Sequence, residues 1–242
     1  MDLEKTKKSG VPVLSADDIE LKAEEVITYF NPDILKQPQR TPILDFVEVL
    51  HEKFNVERGY SMRLGKTKHG RVILGKTQIK PLGLFVDVSL ENDNRFNFVL
   101  GHEFGHIVLH RTVDIKRTGY EEQELVDTEI DLVSGKKILI CSRDWLEWQA
   151  NRFSSAILMP RATVCSEVRK IQTQIGITKN LGCIILENND YSIKDYKAVR
   201  RQLETTYVVN STNVECRLKD LAILIDRRNI DVKHVSELFI AE

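Results

Sequence analysis

Residues 94–111 read NRFNFVLGHEFGHIVLHR, and this stretch decides the fold. Asp93 and Asn94 are placed to cap a helix over 95–111. Phe96, Val99, Leu100, Ile107 and Leu109 make that helix apolar enough to sit in a core. His102 and His106 lie four positions apart, about 40° around the axis and roughly 6 Å along it. Two imidazoles on successive turns converge on one metal ion. Glu103 stands beside the first of them and can reach a water in an open coordination position without binding the metal itself. Neutral imidazole, carboxylate and an open position together point to zinc.

A catalytic zinc takes three protein ligands. His110 is eight positions from His102, about 12 Å along a straight helix, so it cannot join both histidines on one ion. It is a candidate for supporting His106 or for capping the helix C-terminus, where positive charge is favoured. Glu147 is the better third ligand. It lies in residues 144–160, DWLEWQANRFSSAILMP, an amphipathic helix closed by Pro160. A second reading competes: Asp144 as N-cap with Glu147 three places on is a capping-box spacing, which would tie Glu147 to the backbone. The metzincin pattern is excluded, because Leu109 and Thr112 stand where its glycine and third histidine belong.

Taken together, FNFVLGHEFGHIVLH and EWQANRFSSAILMP resemble the ImmA/IrrE-type metallopeptidases. Their pattern is an HExxHxxxH helix followed by a helix reading roughly ExxANxFAxxLLMP. Glu147, Ala150, Asn151, Phe153, Leu158, Met159 and Pro160 match the second motif, with Ser154 and Ile157 as mild departures. An IExxA-type helix at 19–23 extends the resemblance over about residues 18–160. The resemblance implies that His102, His106 and Glu147 bind Zn2+ and that Glu103 is the general base. It also implies a cytoplasmic protease that cleaves a helix-turn-helix repressor or antitoxin encoded nearby and so relieves transcriptional repression. The connection at 112–143 is longer than in many relatives.

The rest of the chain is consistent with an α+β protein. Its 242 residues carry 35 Lys+Arg against 36 Asp+Glu, a net charge of −1, which argues against a chain built to coat nucleic acid or an anionic membrane. No apolar run approaches the roughly 20 residues of a membrane span. Residues 1–14 read as a flexible end with no secretory signal. Cys141, Cys165, Cys183 and Cys216 form no C-x-x-C pair and read as reduced thiols. Residues 15–175 are expected to form a zincin-like metallopeptidase domain with a small mixed or antiparallel sheet. Its helices begin after Ser15, at Thr41-Pro42 with Thr41 as cap, and over 161–174. Its strands fall near 61–64, 71–74 and 83–89, with another at 137–141 inside the long connection.

Residues 176–242 read as a mostly helical region, with a strand near 183–187. Helices at 193–206 and 212–225 have the form of a helix-turn-helix with Ser211 as cap. From 194 to 228 there are eight basic and five acidic residues, a modest excess for contact with a nucleic-acid signal. Tyr60, Tyr120 and His110 are candidates to stabilise an oxyanion. Cys141 is a candidate regulatory thiol, able in principle to fill the open position and hold an enzyme latent. Trp145 and Trp148 read as packing residues. The rival to a protease is a non-catalytic zinc-containing transcription regulator, or a toxin-like partner acting by binding.

Overall fold

The computed structural model describes residues 11–114, 124–128 and 141–228. Among these, the chain is α+β, with seven α-helices, a four-stranded mixed sheet and a separate pair of parallel strands. Helix α1 (Ala16–Phe30) opens with a capping box. The Asp18 amide donates to Ser15 Oγ at 3.1 Å, and the Ser15 amide donates to Asp18 Oδ2 at 2.8 Å. Its face of Ile19, Ala23 and Ile27 is buried. Helix α2 (Ile43–Phe54) follows Pro42, and Thr41 is not its cap. The Thr41 hydroxyl donates instead to the buried carbonyl of Ile157, at 2.8 Å, tying this entry to a helix 116 residues away.

The sheet runs β1-β3-β2-β4, with β1 Glu57–Gly59, β2 Ile73–Ile79, β3 Leu82–Val86 and β4 Glu124–Thr128. β1 pairs parallel to β3, while β2 pairs antiparallel to both β3 and β4, so the sheet is mixed. Three boundaries differ from the sequence expectation. The first strand lies at 57–59, and residues 61–64 form the approach to the Asp87 carboxylate, which accepts from the Leu64 amide. The second strand extends to Ile79, because half-buried Lys76 and Gln78 alternate with buried Gly75, Thr77 and Ile79. The third ends at Val86, where Asp87 caps a 3-10 turn, Val88–Leu90. Strand β4 was not expected where it lies, and the strand expected at 137–141 falls largely outside the described residues.

Helix α3 (Phe96–His110) lies across the sheet and is buried along almost its whole length. No side chain caps it; Asp93 binds the amide and guanidinium of Arg95 instead. Helix α4 (Ser142–Leu158) packs alongside. A Cβ at Gly101 would fall 2.7 Å from Ser154 Oγ, so glycine is what permits the close approach of α3 and α4. Ser154 Oγ donates across the contact to the Phe98 carbonyl at 2.8 Å. Helix α5 (Arg161–Gln174) follows Pro160 over the expected range.

Strand β5 (Ile184–Leu186) leads to α6 (Asp190–Tyr207), α7 (Ser211–Asp220) and β6 (Leu224–Asp226), which pairs parallel to β5. Asn210, rather than Ser211, caps α7, its side chain accepting from the Asn213 amide. The helix expected to reach 225 stops at Asp220. Ala222 takes the left-handed conformation at φ 55°, which ends the helix, and Leu224–Asp226 follow as a strand. One apolar core runs from Ile19 through Phe104 and Phe153 to Leu203 and Leu218. A smaller cluster of Val11, Ile79, Val113, Leu125, Trp145 and Leu146 lies beside β4. No helix among the described residues is long and apolar enough to cross a membrane.

Candidate metal centre

His102 and His106 project from α3, Glu147 from α4 and Asp127 from β4, and their donor atoms all lie within 4.8 Å of one another. His102 Nε2 is 3.0 Å from His106 Nε2, 3.2 Å from Glu147 Oε2 and 3.3 Å from Asp127 Oδ2. His106 Nε2 is 3.7 Å from Asp127 Oδ2 and 3.9 Å from Glu147 Oε1. A tetrahedral ion with ligand bonds of about 2.0–2.1 Å sets its ligands about 3.3 Å apart, so these spacings fit one divalent cation. All four side chains are buried, and such a group can hold a metal ion.

The sequence left two roles open for Glu147, and the backbone separates them. Cys141 is the N-cap of α4, and Asp144 at the third helical position accepts from its amide at 3.2 Å. The capping role therefore falls to Asp144, one turn before Glu147, and Glu147 turns toward the imidazoles.

The imidazole tautomers follow from a chain of hydrogen bonds. The Pro12 carbonyl can only accept, so Gln149 Nε2 donates to it at 2.8 Å and Gln149 Oε1 becomes an acceptor. His110 Nε2, 2.9 Å from that oxygen, is then the donor. Burial, with the nearby His106 adding to it, pushes His110 well below the usual imidazole range, so it is neutral and its Nδ1 accepts. His106 Nδ1 donates to it at 2.9 Å, which leaves the His106 Nε2 lone pair facing the cluster. His102 Nδ1 lies 2.9 Å from Asn151 Oδ1, with the same consequence for its own Nε2. His110 is thus a buried support for His106 and does not cap the helix end. Replacing Gln149 with Leu removes the acceptor that orients this relay. The expected result is metal affinity about 10–100-fold weaker, read by competition with a chromophoric chelator.

Two buried carboxylates require positive charge between them. Burial alone would depress His102, but Asp127 and Glu147 outweigh it and hold it well above its usual range. Burial likewise opposes a charged Asp127, yet His102 and His106 hold its carboxyl well below the usual carboxylate range. Either protons or a metal ion can supply that charge.

Glu103 is fully buried beside the cluster. Thr77 Oγ1 donates to its Oε2 at 2.6 Å, and its Oε1 has no hydrogen-bond donor. Burial raises its carboxyl well above the usual range, with the Asp127 carboxylate adding to the effect. Gly75 makes its position possible, because a Cβ there would meet the Glu103 carboxyl carbon at 2.8 Å.

The other sequence candidates lie elsewhere. Tyr60 packs edge-on against Phe96, at the start of α3, with its hydroxyl buried and pushed up to about 12 by burial. Tyr120 is outside the described residues. Cys141 is exposed, its Sγ 3.3 Å from Asp144 Oδ2, and it is not among the converging donors. Trp145 and Trp148 stack on each other at 4.9 Å. In α7, Arg217 is buried against Glu20 and Lys219 pairs with Glu215, so both basic side chains of that helix are engaged within the protein.

Asp127 and Gly75 escaped the sequence reading. Asp127 sits in a tract, 119–131, that holds several other carboxylates, and spacing from a helix cannot choose among them. Only its alternation with Leu125 hinted at a strand. No family model matches the chain, and a search of the curated proteins found no match.

Proposed function

We propose that the chain is a zinc-dependent endopeptidase of the ImmA/IrrE type, with a zincin-like core. In this reading it is a cytoplasmic enzyme that cleaves a helix-turn-helix repressor or antitoxin to relieve transcriptional repression. The observation that carries the proposal is Glu103. A buried carboxylate with an unsatisfied oxygen, set against a four-donor cluster, costs stability and needs a reason. General base catalysis supplies one.

His102, His106 and Glu147 would hold the ion, and two imidazoles with carboxylate suit zinc. A divalent ion there supplies Lewis acidity toward a peptide carbonyl and toward water. Glu103 takes the proton of the attacking water and passes it to the leaving amine. Thr77 fixes one carboxylate oxygen so that the other serves the reaction. Asn151 and the relay through His110 engage the Nδ1 atoms, so that both Nε2 atoms are turned toward the ion's position. The resemblance in the two motif helices, rather than any contact, supports a repressor or antitoxin substrate.

Metal analysis of the purified chain comes first in testing this reading. Co-expression with any helix-turn-helix protein encoded beside it follows. One equivalent of zinc and a discrete cleavage product, absent in the Glu103→Gln variant, are expected. Zinc with no product from any such partner, in the wild-type chain and in Asp127→Ala alike, would remove the substrate assignment. Gly75→Ala gives an independent check on geometry. Its methyl group displaces the Glu103 carboxyl, so cleavage should fall about a hundredfold while bound metal is unchanged.

One observation favours the non-catalytic reading: Asp127 brings the protein donors to four, the number of a closed structural site. A zinc regulator of that kind would tolerate Glu103→Gln without loss of function.

A further inference from the structure

We infer that Asp127 is a resident blocking ligand: carried on β4, it occupies the coordination position that hydrolysis requires, and the described fold is the latent state of the site. This rests on the metallopeptidase reading above and goes beyond it. Three observations converge.

The first is the donor count. Hydrolytic sites hold their ion with three protein ligands and keep a position open. Here His102, His106, Glu147 and Asp127 bring four donors within 4.8 Å of one another, one more than an open site uses.

The second is access. His102, Glu103, His106 and Asp127 all have 0% of their surface exposed. No peptide bond reaches Glu103 unless an element of the wall moves.

The third is which element is held least. Helices α3 and α4 are locked face to face at Gly101 and Ser154 within the main core. Strand β4 is five residues long and forms an edge of the sheet, pairing among the described residues with β2 alone. Its apolar anchor, Leu125, belongs to the small cluster rather than the main core. In the β2–β4 ladder Asp127 stands opposite Gly75, the residue that makes space for Glu103. Asp127 is therefore a neighbour of both the candidate base and the imidazoles. Displacing β4 would remove the fourth ligand and free the β2 edge beside Glu103 in one movement. A freed strand edge pairs readily with an extended polypeptide. The blocking role that the sequence suggested for Cys141 falls instead to a carboxylate in the same long connection.

The test uses the full chain loaded with Co2+, whose visible spectrum reports its ligands, with azide as the external probe. With the wild-type protein, azide should leave the spectrum unchanged. Asp127→Ala should still bind one equivalent of Co2+, and azide should now shift its spectrum. Asp127→Asn keeps the side-chain volume and is carried through the same titration, so that the outcome does not depend on one variant folding. A wild-type spectrum that already responds to azide would overturn the inference while leaving the metal centre intact. So would a folded Asp127 variant that no longer binds Co2+, because Asp127 would then be an integral ligand. Failure of the wild-type chain to bind Co2+ or Zn2+ at all would instead overturn the metallopeptidase reading beneath it.

Discussion

Glu103→Gln should reduce peptide cleavage by about 10²–10⁴-fold, the range typical of losing a positioned general base, with the metal content unchanged. The amide is nearly isosteric, and its oxygen can still accept from Thr77, whose hydroxyl lies 2.6 Å from Glu103 Oε2. Glu103 also contributes no donor to the converging group of His102, His106, Asp127 and Glu147. The substitution therefore separates proton transfer from metal binding. The check is zinc content by elemental analysis alongside the appearance of product from the co-expressed partner. Cleavage at the wild-type rate would remove Glu103 from the mechanism, and loss of zinc would make it a ligand. This comparison also separates the protease from a binding regulator, in which Glu103 carries no load.

The second large effect concerns the fold. Arg217→Met should destabilise the chain by about 3–5 kcal/mol, the cost of stranding one partner of a buried ion pair. Arg217 on α7 has only 1% of its side chain exposed and donates through both terminal nitrogens to the carboxylate of Glu20 on α1. Its Nε donates to the Met159 carbonyl at 2.9 Å, just past the end of α4. One guanidinium therefore joins the first helix, the second motif helix and the C-terminal region. Removing it leaves Glu20, 4% exposed, without its closest cation. The melting temperature should fall by roughly 6–20 °C for a chain of this size, followed by circular dichroism. The double variant Glu20→Leu with Arg217→Met should recover most of the loss, because apolar replacement of a whole buried pair is close to neutral. A single variant within about 0.5 kcal/mol of wild type, the scale of an ordinary surface change, would mean that the pair is not the clasp described.

The motif helices were legible because their information is local. His102 and His106 face one way because a helix turns every 3.6 residues, and that holds whatever packs against it. The apolar stripe of 96–109 told that the helix would be buried, and it is. Glu147 was harder: its spacing from Asp144 also fitted a capping box. The cap lies one turn earlier, at Cys141, and hydrogen bonding at that helix start decides the matter. Strand boundaries moved for a related reason. Lys76 and Gln78 lie beyond the strand expected at 71–74, yet they are the outward half of a period-two pattern that carries it to Ile79. The last helix is shorter than its pattern suggests because 221–225 is apolar under either period, and the left-handed Ala222 chooses the strand.

By itself, the sequence determined an α+β chain with two imidazoles and a neighbouring carboxylate on one buried helix, and a second carboxylate on a helix able to pack beside it. Helical periodicity and apolar patterning are short-range properties, so they can be read from a single chain. Only the tertiary structure decided that Asp127 completes the cluster, that Gly75 makes space for Glu103, and that Pro12 orients His106 through Gln149 and His110. Each of those depends on strand register or on segments brought together from distant parts of the chain. A one-residue change of register would turn Asp127 to the opposite face of the sheet.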